Sequence, residues 1–141
     1  MNYRDVASFH DSAANETMLR FEQRTPLVYG HRPSDKIPAL VEKLRHHLWA
    51  VANNTRPFRE YYLYVAPVLE RQQVVPQLIS IYAITFYLGS IARYRPQHFD
   101  SILASTFGSQ LQEFLSSQPT QFVYLLASDF AKREIARAAL A

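Results

Sequence analysis

The sequence contains no cysteine and only 3 glycines among its 141 residues. Without cysteine, the chain has neither disulfide bonds nor thiolate-bound metal ions. Scarce glycine argues against a sandwich of tight β-turns. The 8 prolines stand between apolar runs, which is typical of helices with abrupt starts. A chain of this length forms one domain that buries about two thirds of its unfolded surface, so it needs no metal or covalent support.

The N-terminus also lacks the basic and then apolar pattern of a secretory signal, since it reads MNYRDVASFHDSAAN. We therefore expect a cytoplasmic protein. Gly-rich phosphate loops, paired carboxylates and metalloprotease motifs are absent from the sequence as well. The adjacent His46 and His47 face different directions on a helix, so they do not form a metal pair. We expect no metal and no cofactor.

Lysine is scarce: the 15 basic residues are twelve arginines and three lysines, and the net charge is +3. The planar guanidinium of arginine binds phosphate or carboxylate with two hydrogen bonds and stacks on aromatic rings. The 9 tyrosines and 9 phenylalanines offer such rings, so the composition fits an interface with nucleic acid or protein. Codon usage in a GC-rich genome explains the same bias, and this alternative stays open.

Helical periodicity divides the chain into a poorly defined N-terminal arm, residues 1–34, and a helical domain, residues 35–141. Within the arm, ANETMLRFEQR predicts two or three helical turns capped by Asn15. The first long helix is predicted to begin near Pro38, because apolar residues repeat from there with helical spacing. These residues are Ile37, Leu40, Val41, Leu44, Leu48 and Val51.

Residues 72–92 carry no charge, and apolar side chains cover nearly the whole circumference of a helix that starts at Pro76. Such a helix is either the centre of a core or a membrane span. Polar Ser80 and Thr85 interrupt it, and arginines flank both ends without the asymmetry of a membrane segment. The pattern therefore favours a central core helix over residues 76–92 and no membrane.

The remaining segments complete an all-α prediction. Residues 61–65 fit a strand, a tight helix or an extended segment, and we expect an extended or single-turn segment that Pro67 ends. Pro96 and Pro119 start two further helices, and the last has one apolar face that comprises Phe122, Leu125, Leu126 and Phe130. Short, proline-marked connections favour an antiparallel bundle of four to five helices.

The end of the uncharged helix carries a cluster of polar residues, FYLGSIARYRPQHFD, in which Arg93 and His98 have the spacing R-x4-H. This spacing resembles the motif of the HEPN superfamily of small helical domains, many of which are metal-independent ribonucleases that act as dimers. The resemblance implies that His98 transfers protons and Arg93 stabilises phosphate charge. Arg95, Arg56 and Arg59 would then steer RNA.

The motif has alternatives within the same sequence. The HEPN motif allows four to six residues between the arginine and the histidine, so Arg4 with His10 (R-x5-H) and Arg24 with His31 (R-x6-H) also match it, and chance alone gives about one such match. Arg93 is distinguished by its place at the end of the most apolar helix, although Tyr94 stands where HEPN nucleases usually carry a polar residue. In the structural interpretation, Arg93 caps helix carbonyls, whereas Tyr94 and Pro96 form a packing clasp. As an interface residue, Tyr94 would bind nucleic acid or a partner together with the three steering arginines.

A longer stretch carries a second resemblance. YAITFYLGSIARYRPQHFDSIL followed by FLSSQPTQFVYLLASDFA resembles the C-terminal part of the YaaC-like bacterial proteins, from about Arg56 to Phe130. Because YaaC-like proteins are usually longer, the chain resembles a stand-alone C-terminal portion with a different N-terminal arm. The resemblance implies a helical domain with a HEPN-like topology, but no activity, because the family has none securely assigned.

Two functional hypotheses follow from these observations. The first is a catalytically silent interaction module, which binds a second copy or a larger protein, as a subunit of an assembly such as one for phage defence. The alternative is a HEPN-like ribonuclease that uses Arg93 and His98 as a dimer, with RNA as its substrate. Convergence of the two side chains in an open cleft would favour the ribonuclease, and an exposed apolar surface would favour the module.

Overall fold

The computed structural model describes residues 16–23, 32–54, 56–104 and 118–140. The helices in chain order are α1 (16–23), α2 (Ile37–Asn54), α3 (Phe58–Arg71), α4 (Pro76–Tyr94), α5 (Phe99–Ile102) and α6 (Gln118–Leu140). Short 3-10 turns, Pro33–Lys36 and Pro96–His98, lead directly into α2 and α5. An all-α fold is thus confirmed for the described part of the chain. The antiparallel order, the total helix count and the HEPN-like topology stay predictions.

α4 is the central helix, as the lack of charge over residues 76–92 predicts. Pro76 occupies its first turn, and α4 contacts α2, α3 and α6. Two of its buried hydroxyl groups bond to carbonyls of the same helix: the hydroxyl of Thr85 donates to the Ile81 carbonyl at 2.8 Å, and that of Ser90 donates to the Phe86 carbonyl at 2.9 Å. Because these hydroxyls bond within their own helix, they add little cost to burial.

Three buried tyrosines connect the central helix to its neighbours through their hydroxyl groups. Tyr82 donates to the carbonyl of Pro33 before α2, and Tyr87 donates to the carbonyl of Arg56 before α3 at 2.7 Å. Tyr61 of α3 donates to the carbonyl of Ala83 in α4 at 2.8 Å. Burial raises the pKa of all three phenols, since it disfavours the charged phenolate. The hydroxyls therefore act as permanent donors.

The apolar stripe predicted for α2 is confirmed, because each of its six side chains is at most 1 % exposed. Ahead of it, α1 forms where a short helix is predicted, although Asn15 lies outside the described residues. Met18 and Phe21 of α1 are fully buried in the core, and Glu22 accepts a hydrogen bond from the backbone N–H of Ser34 at 2.7 Å. Much of the rest of the predicted arm lies outside the described residues, so its boundary at residue 34 stays a prediction.

The extended or single-turn segment expected at residues 61–65 is wrong. These residues belong to α3, and Pro67 lies inside that helix instead of ending it. Phe58, Tyr61, Val65 and Leu69 are buried at helical spacing, and this burial outweighs the hydrogen bond that proline cannot donate. Pro67 itself is exposed, so the carbonyl that loses its partner lies on the side of α3 that faces water.

A Schellman motif ends α3 at Arg71. The N–H of Val74 donates to the carbonyl of Leu69 at 3.1 Å, and the N–H of Gln73 donates to the carbonyl of Glu70 at 3.0 Å. Val74 and Leu69 are both buried, which supplies the hydrophobic contact typical of this motif. Gln73 has a φ of 63°, in the left-handed region where glycine is usual.

α6 packs along α4, but not mainly through the apolar face that the sequence suggests. Leu125 is 64 % exposed, and Phe122 and Leu126 are only partly buried at the edge of the core. The deeply buried side chains are smaller, namely Thr120, Val123, Ala127, Ser128 and Ala131. Small residues allow α6 to approach the bulky side chains of α4 closely. The helix predicted from Pro96 onwards is observed through α5, and its continuation beyond residue 104 lies outside the described residues.

Candidate functional site

The chain bends sharply where α4 ends, inside the predicted R-x4-H motif. The N–H of Arg95 still donates to the Ile91 carbonyl at 2.8 Å, but Arg95 itself has left the helical conformation, with a φ of −136° and a ψ of 49°. Pro96 explains the bend, because proline disfavours the α conformation in the residue before it. The 3-10 turn that follows places His98 on the far side of the bend from Arg93.

Arg95 connects this bend to the end of α2. Its Nη1 donates to the carbonyl oxygen of Asn53 at 2.9 Å, one of the last carbonyls of a helix that lack a partner within the helix. A positive charge there is also favoured by the helix dipole. The Nε of Arg95 is buried and has no hydrogen-bond partner among the described residues. The guanidinium therefore holds two helices together, and its predicted role in binding stays a prediction.

Arg93 and His98 are both exposed. The guanidinium carbon of Arg93 lies 5.9 Å from the ring centroid of Tyr94, which is half-buried and packs against the core. The backbone carbonyl of His98 accepts a hydrogen bond from Ser101 at 3.0 Å. Within the described ranges, no hydrogen bond or ring contact joins Arg93 to His98. Arg93 lies in the last turn of α4, where the helix dipole favours a positive charge, so the alternative in which it caps helix carbonyls stays a prediction.

Arg56 lies at the start of α3 and belongs to a second cluster. Its guanidinium carbon is 5.1 Å from the ring centroid of Tyr64, and its Nε is 3.9 Å from a carboxylate oxygen of Glu60. Cation–π contact with a tyrosine ring is favourable. Arg59, in the first turn of α3, is exposed. Of the predicted binding arginines, Arg56 and Arg95 thus have contacts within the fold.

His47 of α2 completes this second cluster, and sequence reasoning missed it. Its ring stacks on Tyr64 with centroids 5.8 Å apart and planes 12° from parallel. Partial burial lowers the pKa of His47, and the nearby His46 and Arg56 lower it further. Its Nδ1 is buried without a hydrogen-bond partner among the described residues. No local signal identifies the contact, because Tyr64 comes from a different helix.

The outer side of α3 exposes two large apolar side chains next to each other in sequence. Leu63 is 68 % exposed and Tyr64 is 51 % exposed, and Pro67 is exposed beside them. Glu60 and Arg71, also exposed, lie one turn beyond this apolar centre at either end. We call these five residues the α3 outer face. The α3 outer face therefore has an apolar middle and charged ends.

The described residues contain neither a candidate metal site nor a candidate membrane-spanning helix. Across residues 16–23, 32–54, 56–104 and 118–140, no three His, Asp or Glu side chains gather into a group that could hold a metal ion. In the same part of the chain, no helix combines the length and the hydropathy needed to cross a bilayer.

The wider sequence pattern decides the family. A family model described as YaaC-like Protein matches residues 3–130. The chain belongs to the YaaC-like family. The match begins well before Arg56, so residues 3–34 belong to the family pattern of this YaaC-like chain, and the expectation of a different N-terminal arm is wrong. No curated protein and no solved structure matches the chain.

Proposed function

We propose that this YaaC-like chain is a catalytically silent helical interaction module that binds another protein chain, as a subunit of a larger assembly. The exposed side chains of Leu63 and Tyr64 on the α3 outer face are the observation that carries the proposal. Large apolar side chains gain free energy when they leave water, by about 25 cal/mol per Å². A soluble domain that exposes two of them side by side has a surface suited to a partner.

The contacts of the arginines support the same proposal. Arg95 bonds to the end of α2, and Arg56 lies against Tyr64 and near Glu60. Arg95 therefore connects the end of α4 to α2, and Arg56 supports the ring of Tyr64 on the α3 outer face. A ring supported in this way loses little conformational entropy on binding, which favours its use as a contact residue.

Site-specific photo-crosslinking in the native host tests this proposal. A photoreactive phenylalanine at Leu63 is compared with one at Lys132, an exposed position on α6. We expect a discrete adduct with a protein from position 63 and none of the same mass from position 132. If position 63 gives no adduct beyond the control, the α3 outer face is not an interaction surface and the proposal is wrong.

A second candidate function is a HEPN-like, metal-independent ribonuclease, as in certain phage-defence systems. It is favoured by one observation: Arg93 and His98 are both exposed, on either side of the same bend. In this reaction the RNA 2′-hydroxyl attacks the adjacent phosphorus while the bond to the 5′-oxygen breaks, which leaves a 2′,3′-cyclic phosphate and a 5′-hydroxyl. His98 would transfer the protons and Arg93 would stabilise the charge on the phosphate oxygens.

RNA cleavage in the presence of EDTA tests the second candidate. The wild-type chain is compared with Arg93→Ala and His98→Ala, and with the control variants Arg137→Ala and His46→Ala, which remove exposed residues of the same types elsewhere. Loss of at least about a hundredfold in rate in the first two variants alone, with unchanged circular dichroism, would establish the ribonuclease. Failure of the folded wild type to cleave RNA would exclude it.

A further inference from the structure

The α3 outer face has an acidic residue at one end and a basic residue at the other. When two copies meet in antiparallel orientation, the acidic end of each lies opposite the basic end of the other. Glu60, Tyr64, Pro67 and Arg71 follow one another at spacings of four, three and four residues, so they lie on one side of the helix. The acidic end and the basic end are equally far from the point between residues 65 and 66. That distance is about 8 Å along the helix axis at 1.5 Å per residue.

We propose that two copies of this chain dimerise through antiparallel packing of their α3 outer faces. A two-fold axis that passes between residues 65 and 66 places Glu60 of each copy opposite Arg71 of the other. The same axis places each Tyr64 ring against Pro67 of the other copy. The proposal rests on the proposed function, because it names the partner of the interaction module.

A second copy fits this surface better than an unrelated partner because the complementarity is reciprocal. A two-fold interface requires that residue i contacts residue j and that j contacts i in return. Glu60 and Arg71 satisfy this requirement with opposite charges, and Tyr64 and Pro67 satisfy it with two apolar groups. Arg56 lies 3.9 Å from Glu60 and against Tyr64 in the same copy, so both contact residues are supported before the copies meet.

The size of the surface predicts a weak and reversible dimer. α3 contains 14 residues, so the helix is about 21 Å long and about 10 Å wide. One side of it offers about 200 Å² to a partner, well below the roughly 800 Å² of a standard stable interface. We therefore expect dissociation constants in the micromolar range, and dimers that weaken as salt screens the two ion pairs.

Charge reversal and its rescue test the geometry directly. Glu60→Arg creates two Arg–Arg contacts across the axis, and Arg71→Glu creates two Glu–Glu contacts. Mixing the two variants restores an opposite charge at both contacts, because each copy then supplies the complement of the other. The controls are Glu70→Arg and Lys43→Glu, which make the same charge changes at exposed positions outside the α3 outer face.

Sedimentation velocity from about 10 to about 500 µM protein provides the measurement. We expect a concentration-dependent wild-type dimer, a loss of about tenfold or more in affinity for each single variant, and recovery in the equimolar mixture. The control variants should resemble the wild type. A wild type that stays monomeric, variants that dimerise normally, or a mixture that fails to recover would each overturn the proposal.

The two proposals fail in different ways. If the wild type is monomeric while position 63 crosslinks to a different protein, the interaction module stands and the dimer falls. If position 63 crosslinks to a second copy and the charge variants behave as expected, both stand. Absence of any adduct together with a monomeric wild type overturns both.

Discussion

Enlarging a small buried side chain of α6 should destabilise the protein more than truncating a large exposed side chain of the same helix. Ala131 is 1 % exposed and faces the core, whereas Leu125 is 64 % exposed on the other side of the same helix. We consider Ala131→Leu, which adds three carbons where α6 lies against the core. We compare it with Leu125→Ala, which removes three carbons at the surface.

The two expected changes in unfolding free energy follow from burial. Overpacking a closely packed site costs about 1–3 kcal/mol, because neighbouring side chains leave their preferred rotamers. A buried methylene contributes about 0.8 kcal/mol, and only about a third of the Leu125 side chain is buried, so its loss costs at most about 1 kcal/mol. For a domain of this size, each 1 kcal/mol lowers the melting temperature by about 3–5 °C.

Urea unfolding followed by circular dichroism measures both variants. Ala136→Leu is the matched control, because it adds the same atoms at an exposed position of the same helix, and we expect it to change stability by less than about 0.5 kcal/mol. If Leu125→Ala proves more costly than Ala131→Leu, the assignment of the buried side of α6 is wrong. Equal losses for Ala131→Leu and Ala136→Leu would show that position 131 is not closely packed.

Two further predictions concern α3 and its neighbour α2. Gln73→Gly should raise the unfolding free energy by about 0.5–1 kcal/mol in the same assay, because glycine adopts a positive φ without the penalty of a side chain, whereas a loss would contradict the Schellman geometry. The lowered pKa of His47 means that the unfolded chain binds the proton more readily than the folded protein. As the pH is lowered from about 7.5 to about 5, the unfolding free energy of the wild type should therefore fall relative to that of His47→Gln. A wild type that gains stability relative to His47→Gln over that range would refute the physical reasoning.

Large apolar residues made two of the long helices predictable. The stripe from Ile37 to Val51 and the uncharged run after Pro76 each repeat over four or five turns, which is enough for periodicity to identify a helix. The five residues 61–65 are too few for the same periodicity to identify a helix. Pro67 suggests that a helix ends there, but the packing of α3 against the core keeps the helix continuous. On α6 the buried positions are occupied by Ala127, Ala131 and other small residues, whose hydropathy is weaker than that of the exposed Leu125.

The candidate site was predictable only where it is local in sequence. The bend at Arg95 follows from Pro96, and the exposure of Arg93 and His98 fits the end of a helix. The contact between Arg95 and Asn53 spans 42 residues, and the stack of His47 on Tyr64 joins α2 to α3. Such pairs depend on how the helices pack, and nothing in the single sequence specifies that packing.

The tyrosine hydroxyls at the core have a consequence for how this protein can change over time. Each of them bonds to a backbone carbonyl, at Pro33, Arg56 or Ala83. Every amino acid supplies that carbonyl, so a mutation at the accepting position leaves the acceptor in place. The hydrogen bond from Tyr87 therefore places no constraint on the side chain at position 56. Natural selection can change the residue there to suit a partner and still keep the contact that anchors the start of α3.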